Sequence, residues 1–157
     1  MKRLPLLAAL LSAALILPAA QAAAPAKNAK PAAVEVAPAP EAQERVVYHI
    51  NDASLARIAM RNVENHITAA PDAKIVVVTH GKGIDFLLNE AKDDKGAFAP
   101  QVAGLKARGV EFRVCRNTLK GRNLGDEAVI MEAQVVPSGV AEIGKLQARE
   151  GFVYLKP

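Results

Sequence analysis

Tryptophan is absent from this sequence, cysteine occurs once, and the aromatic side chains are two tyrosines and four phenylalanines. One cysteine excludes an internal disulfide, so Cys115 serves packing, reactivity or pairing with another molecule. Neither a Cys-x-x-Cys nor a His-x-x-x-His pair is present, so no metal site is expected. Basic runs are missing too. Without a basic face and stacking aromatics, nucleic acid is not an expected partner. There is no full Walker A pattern, no Gly-x-Gly-x-x-Gly and no Gly-x-Ser-x-Gly, so neither a nucleotide cofactor nor a serine nucleophile is expected. The apolar run at residues 4–17 is too short to span a bilayer comfortably, and Pro18 interrupts any continuation of it.

What is there begins with that run. Met1-Lys2-Arg3 is a basic start, and Ala20-Gln21-Ala22 offers small residues where a signal peptidase reads. Residues 1–22 therefore read as a signal peptide, cleaved after Ala22 and short enough to be bacterial. The exported chain would be periplasmic or secreted, without stable membrane insertion. No cysteine lies near the cleavage site, which excludes a lipid-anchored start. Residues 23–44 are rich in Ala and Pro and cannot bury enough apolar surface to offset chain entropy, so they read as a disordered tether. Residues 45–157 hold 16 basic and 13 acidic side chains, interspersed, and suffice for one domain with one core.

Within that domain, strand and helix patterns alternate. Residues 45–50, 74–79, 110–115, 134–136 and 152–155 read as strands. The second is a continuous β-branched run, as in a strand covered on both faces. Asp52 is read as the cap of a helix to about Ala70, with Leu55, Ile58, Ala59, Val63 and Ile67 inward and Arg57 outward. Further helices are expected over 84–90, from Pro100 to Gly109, over 117–124, and from Ser138 to about Arg149 with Val140, Ile143 and Leu146 inward. Residues 91–96 read as a polar loop. Ala128-Val129-Ile130-Met131 has no place in the pattern, and a surplus apolar patch on a small domain is often an interface. The alternation implies an α/β fold: an open, mainly parallel sheet of about five strands with helices on both faces.

In such sheets, ligands bind beyond the carboxyl ends of the strands. Those loops carry Asn51, His80 with Lys82, Cys115 with Arg116 and Asn117, and Ser138, so one rim is expected to gather them. Cys115 follows Arg113 and precedes Arg116, and cations lower a thiol pKa as the N–H groups opening a helix do. Asn117 is a good cap for that helix. His80 is the candidate base. It also reads as a polar residue leaving a strand, as Cys115 reads as a small buried hydrophobe. His49 reads as a satisfied, partly buried histidine, and Ser138 as an N-cap. Lys82, in His80-Gly81-Lys82-Gly83, belongs to a turn able to hold a small anion.

Three stretches carry a family resemblance: Thr79-His80-Gly81 after its Val-rich strand, Gly109-Val110-Glu111-Phe112-Arg113-Val114-Cys115-Arg116-Asn117-Thr118-Leu119, and Val135-Val136-Pro137-Ser138-Gly139-Val140-Ala141-Glu142-Ile143. Together with the closing Gly-Phe-Val-Tyr-Leu-Lys-Pro, they resemble the small exported members of the DsrE/DsrF-like family across residues 45–157. The resemblance implies a three-layer flavodoxin-like sandwich that assembles as a dimer, trimer or hexamer. It implies a sulfur relay in which Cys115 carries a persulfide between a sulfur donor and an acceptor, here in the periplasm. Three readings are open: a persulfide carrier, a non-catalytic small-anion or protein-binding module, and a cysteine-nucleophile hydrolase.

Overall fold

The computed structural model describes residues 43–157; the expected signal peptide and nearly all of the expected tether lie outside them. In chain order the elements are β1 (Arg45–Ile50), α1 (Ala56–Ala69), β2 (Lys74–Thr79), the short β3 (Lys92–Asp93) and β4 (Gly96–Ala97), α2 (Ala99–Ala107), β5 (Glu111–Cys115), α3 (Arg116–Gly121), β6 (Ala133–Val136), α4 (Gly139–Glu150) and β7 (Val153–Leu155). Five strands form one parallel sheet in the order β6-β5-β2-β1-β7. This is the α/β architecture the alternation implied.

Side-chain parity assigns the two faces. Val46, Tyr48 and Ile50 point into the larger core with Ala59, Met60 and Val63 of α1, Val102 and Leu105 of α2, and Leu119 of α3. Val47, Val76 and Val78 point the other way and meet Ile143 and Leu146 of α4, with Phe152. The carboxyl ends of β1, β2 and β5 therefore sit between a broad layer and a single helix. No helix among the described residues is long and apolar enough to cross a membrane.

Several local expectations are corrected. Asp52 accepts from the Ser54 N–H at 3.0 Å and caps a tight 3-10 turn, after which α1 begins at Ala56. The buried stripe is Ala56, Ala59, Met60, Val63 and Ile67, whereas Leu55 and Ile58 are exposed. Val140 of α4, expected inward, is 66% exposed. Residues 81–87 are a 3-10 helix. The polar loop contains the β3–β4 hairpin, held by Arg57, which grips Asp93 and the Gly96 carbonyl and lies 4.0 Å over the Phe98 ring. The surplus stretch is not a surface patch: Val129 and Ile130 are buried, Val129 bridges Leu88, and Met131 alone is fully turned to solvent.

Candidate functional site

Four strand ends converge. The register that pairs Thr79 with Val114 places His80 beside Cys115, one step further along and on the α4 face. Gly139, the first residue of α4, closes over both. A Cβ there would stand 3.1 Å from the Cys115 Cβ, 3.1 Å from the Thr79 carbonyl oxygen and 3.3 Å from the His80 Cβ. Glycine is thus favoured by close approach, not by an unusual φ, since a Cβ would make these neighbours give way by a few tenths of an ångström. The β2 loop is pressed as tightly onto the end of β1, since a Cβ on Gly83 would collide with the Ile50 carbonyl.

Cys115 is the last residue of β5 and the N-cap of α3. It is 4% exposed. Burial pushes its thiol pKa up, but donors outweigh burial and the net shift is downward: the Gly139 N–H, the Thr118 hydroxyl, and the N–H groups of Thr118 and Asn117. The thiol itself makes no capping hydrogen bond; the donors act on the anion. Thr118 is held for this task from behind, because its Oγ1 accepts from the Gly81 N–H at 3.1 Å. Hydrogen bonds in series polarise one another, so the His80-Gly81-Lys82-Gly83 turn reaches the thiolate through Thr118.

The arginines do not supply the charge. Arg113 is clamped between Glu142 of α4 and Glu111, the latter at 2.5 Å, while its Nε is buried without a partner. Arg116 pairs with Asp126 at 2.6 Å and turns outward. Lys82 lies in a groove of about 490 Å³ with Asp85, Thr118 and Arg122, and its charge acts on Asp52. Asn51 adjoins Gly81 and Gly83 through backbone contacts. The Ser138 Oγ caps α4, accepting from the Ala141 N–H at 3.4 Å. Asn117 contributes its backbone N–H and is not the cap. His80 turns its ring toward β1, where its Nε2 meets the His49 Nε2 at 2.7 Å. His49 Nδ1 meets the Tyr154 hydroxyl at 2.7 Å.

Sequence reasoning passed over Thr118, Gly139, Tyr154 and the carboxylates facing Arg113. A signal for Thr118 existed, since a hydroxyl three residues after a cap position points back toward it. The others depend on β-sheet register. Among the described residues, no group of three or more potential ligands gathers to hold a metal.

Known structures share this fold. The structure of a protein of unknown function from Methanobacterium thermoautotrophicum, MTH1491, matches at 29% identity with a TM-score of 0.66, covering 73% of this chain and all of that one. The ychN protein from E. coli matches with a TM-score of 0.59 and 14% identity, over 74% of this chain and all of that one, a likeness of fold. No curated protein matches in sequence. The model of the DsrE/DsrF-like family matches residues 23–157. With that span covered, the chain belongs to the DsrE/DsrF-like family, which is associated with sulfur transfer.

Proposed function

We propose that this protein is an exported persulfide carrier in which Cys115 takes up sulfane sulfur and hands it to a partner thiol. The observation that supports this most is the position of the buried thiol: Cys115 is the N-cap of α3, and Gly139 at the start of α4 closes over it. Burial alone suits a packing residue. Burial at a helix N-cap with the thiol pKa shifted downward suits an anion, and the thiolate is the nucleophile. The reaction is an exchange. The Cys115 thiolate forms an S–S bond to the outer sulfur of a donor persulfide, the donor's own S–S bond breaks, and the departing thiolate takes a proton. Cysteine and a donor persulfide become cysteine persulfide and a donor thiol, with no net oxidation. The enclosure by Gly139 and His80 then shields the persulfide from larger thiols.

Export to the periplasm or beyond belongs to the same proposal, resting on residues 1–22. The test is loading. The full chain is treated with polysulfide, and mass spectrometry should find one added sulfur on Cys115, absent in Cys115→Ser. If the folded protein acquires none while the unfolded chain does, Cys115 is a packing residue. The rim near Lys82 and Arg122 then reads as an anion- or protein-binding module.

A further inference from the structure

One arrangement is left over by the sulfur-transfer reading. Tyr154, His49 and His80 form an unbroken hydrogen-bonded row across three strands, with contacts of 2.7 Å between hydroxyl and His49 Nδ1 and 2.7 Å between the facing Nε2 atoms. The imidazole centroids are 4.6 Å apart with ring planes tilted by 32°, and the rings meet through their nitrogens. The row runs from the exposed edge strand, where Tyr154 is 36% exposed, to the flank of Gly139. His80 reaches that flank through its Cβ. Its Nδ1, two bonds from that Cβ, is the ring nitrogen that His49 leaves unengaged.

We propose that Tyr154 and His49 are positioning residues that make His80 one end of a proton relay between the Cys115 rim and solvent. The inference rests on the reading of Cys115 as a sulfur carrier, because a thiol that loads sulfur must first release its proton. The row permits two tautomeric arrangements. In one, Tyr154 O–H donates to His49 Nδ1, and His49 Nε2–H donates to His80 Nε2. In the other, His80 Nε2–H donates to His49 Nε2, His49 Nδ1–H donates to the Tyr154 oxygen, and His80 Nδ1 is bare. On this proposal the thiol proton crosses the Gly139 flank to His80 Nδ1, and its arrival converts the second arrangement into the first. His80 Nε2–H passes to His49, His49 Nδ1–H passes to Tyr154, and the tyrosine releases its own proton to water. Each group ends with the number of protons it began with. The reverse passage returns the proton and restores the tautomers.

One proton fills the gap between the two Nε2 atoms, and a second would set two N–H groups against each other. The two rings therefore share that proton. The other groups around it do not break that coupling. Lys156, beyond β7, disfavours charge on His49 as burial and His80 do, burial being the largest effect. On the same sheet face, Arg113 of β5 is occupied by Glu111 and Glu142 of α4, and Glu142 is also approached by Lys145.

The experiment is a paired titration of the full chain. Histidine nitrogen NMR follows His49 and His80, while thiolate ultraviolet absorbance, corrected with Cys115→Ser, follows the sole thiol. The expected result is that both histidines shift together in a common step, and that the thiolate signal carries an inflection at that same pH. Tyr154→Phe, at an exposed edge position, should move the common step by roughly half a pH unit or more, the size of one lost hydrogen bond. His49→Gln should remove the inflection from the thiolate curve. Independent titration of the two wild-type histidines overturns the relay, and so does a thiolate curve unchanged in Tyr154→Phe. Neither readout uses sulfane sulfur. A carrier without a relay and a relay beside an inert thiol therefore give different results.

Discussion

At the residue scale, Cys115 is governed by hydrogen-bond donors and not by neighbouring charge. Thr118→Val removes the hydroxyl donor and keeps the shape. The thiol pKa should rise by about one to two units, since a hydrogen bond to a charged group is worth about 1.5–3 kcal/mol net. Thiolate absorbance against pH checks this. A linked effect on stability follows. The thiol pKa is lower in the folded chain than in the unfolded one, so this group's contribution is fully present above the unfolded pKa and is lost as pH falls through the folded value. Cys115→Ser should flatten the stability curve across that interval, as urea titrations at several pH values would show. Gly139→Ala is the steric counterpart. Its Cβ would press on Cys115, His80 and the Thr79 carbonyl at 3.1–3.3 Å, and overpacking of this kind costs about 1–3 kcal/mol. Denaturation midpoints should fall, and sulfur loading should slow.

At the element scale, α4 is the only helix among the described residues represented in the smaller core, and a half-buried ion pair ties it to β5. Arg113 and Glu142 side chains are each 13% exposed. Arg113→Met strands Glu142 without its partner and should cost about 2–4 kcal/mol, because removing one member leaves an uncompensated charge. The double variant Arg113→Met with Glu142→Leu should recover most of the loss. Thiolate absorbance separates this structural role from catalysis: the Cys115 titration should stay in place in the double variant. A large upward move would restore Arg113 as a thiolate stabiliser. The helix patterns of the sequence were legible at this scale in type but not in rotation. A 3-10 turn ahead of α1 turned its stripe from Leu55 and Ile58 to Ala56 and Met60.

At the scale of the whole molecule, two expectations concern chain processing and assembly. If the proposed export holds, the chain should lose residues 1–22, and intact-mass measurement reads the new start directly. Self-association is an expectation of the family resemblance, and Val129 does not carry it. That side chain is 9% exposed and Ile130 is 7% exposed, so Val129→Glu should unfold the domain. The edge strand offers exposed apolar residues instead: Val153 and Leu155 are 60% and 38% exposed. Unpaired edge strands are templates for pairing with another chain. Val153→Lys with Leu155→Lys should lower the mass seen by light scattering while leaving circular dichroism unchanged. A wild-type protein that is monomeric at high concentration rules out assembly.

The sequence by itself determined the layer order, because alternating strand and helix patterns admit few topologies and parallel connections need a crossover. It also marked Cys115, as the sole thiol at a strand end is visible without coordinates. It did not show which charges the thiol would meet. Arg113 and Arg116 are its neighbours along the chain, yet strand parity and helix rotation deliver them to Glu142 and Asp126. The donors that matter come from segments whose register the chain does not announce: Gly81 behind Thr118, and Gly139 from 24 residues downstream of Cys115. The Tyr154–His49–His80 row is a product of register in the same way, because β1 must lie between β2 and β7 before the three side chains share a face. Local chemistry is written in single residues, but partners across a sheet are set by pairing and packing that only the tertiary structure decides.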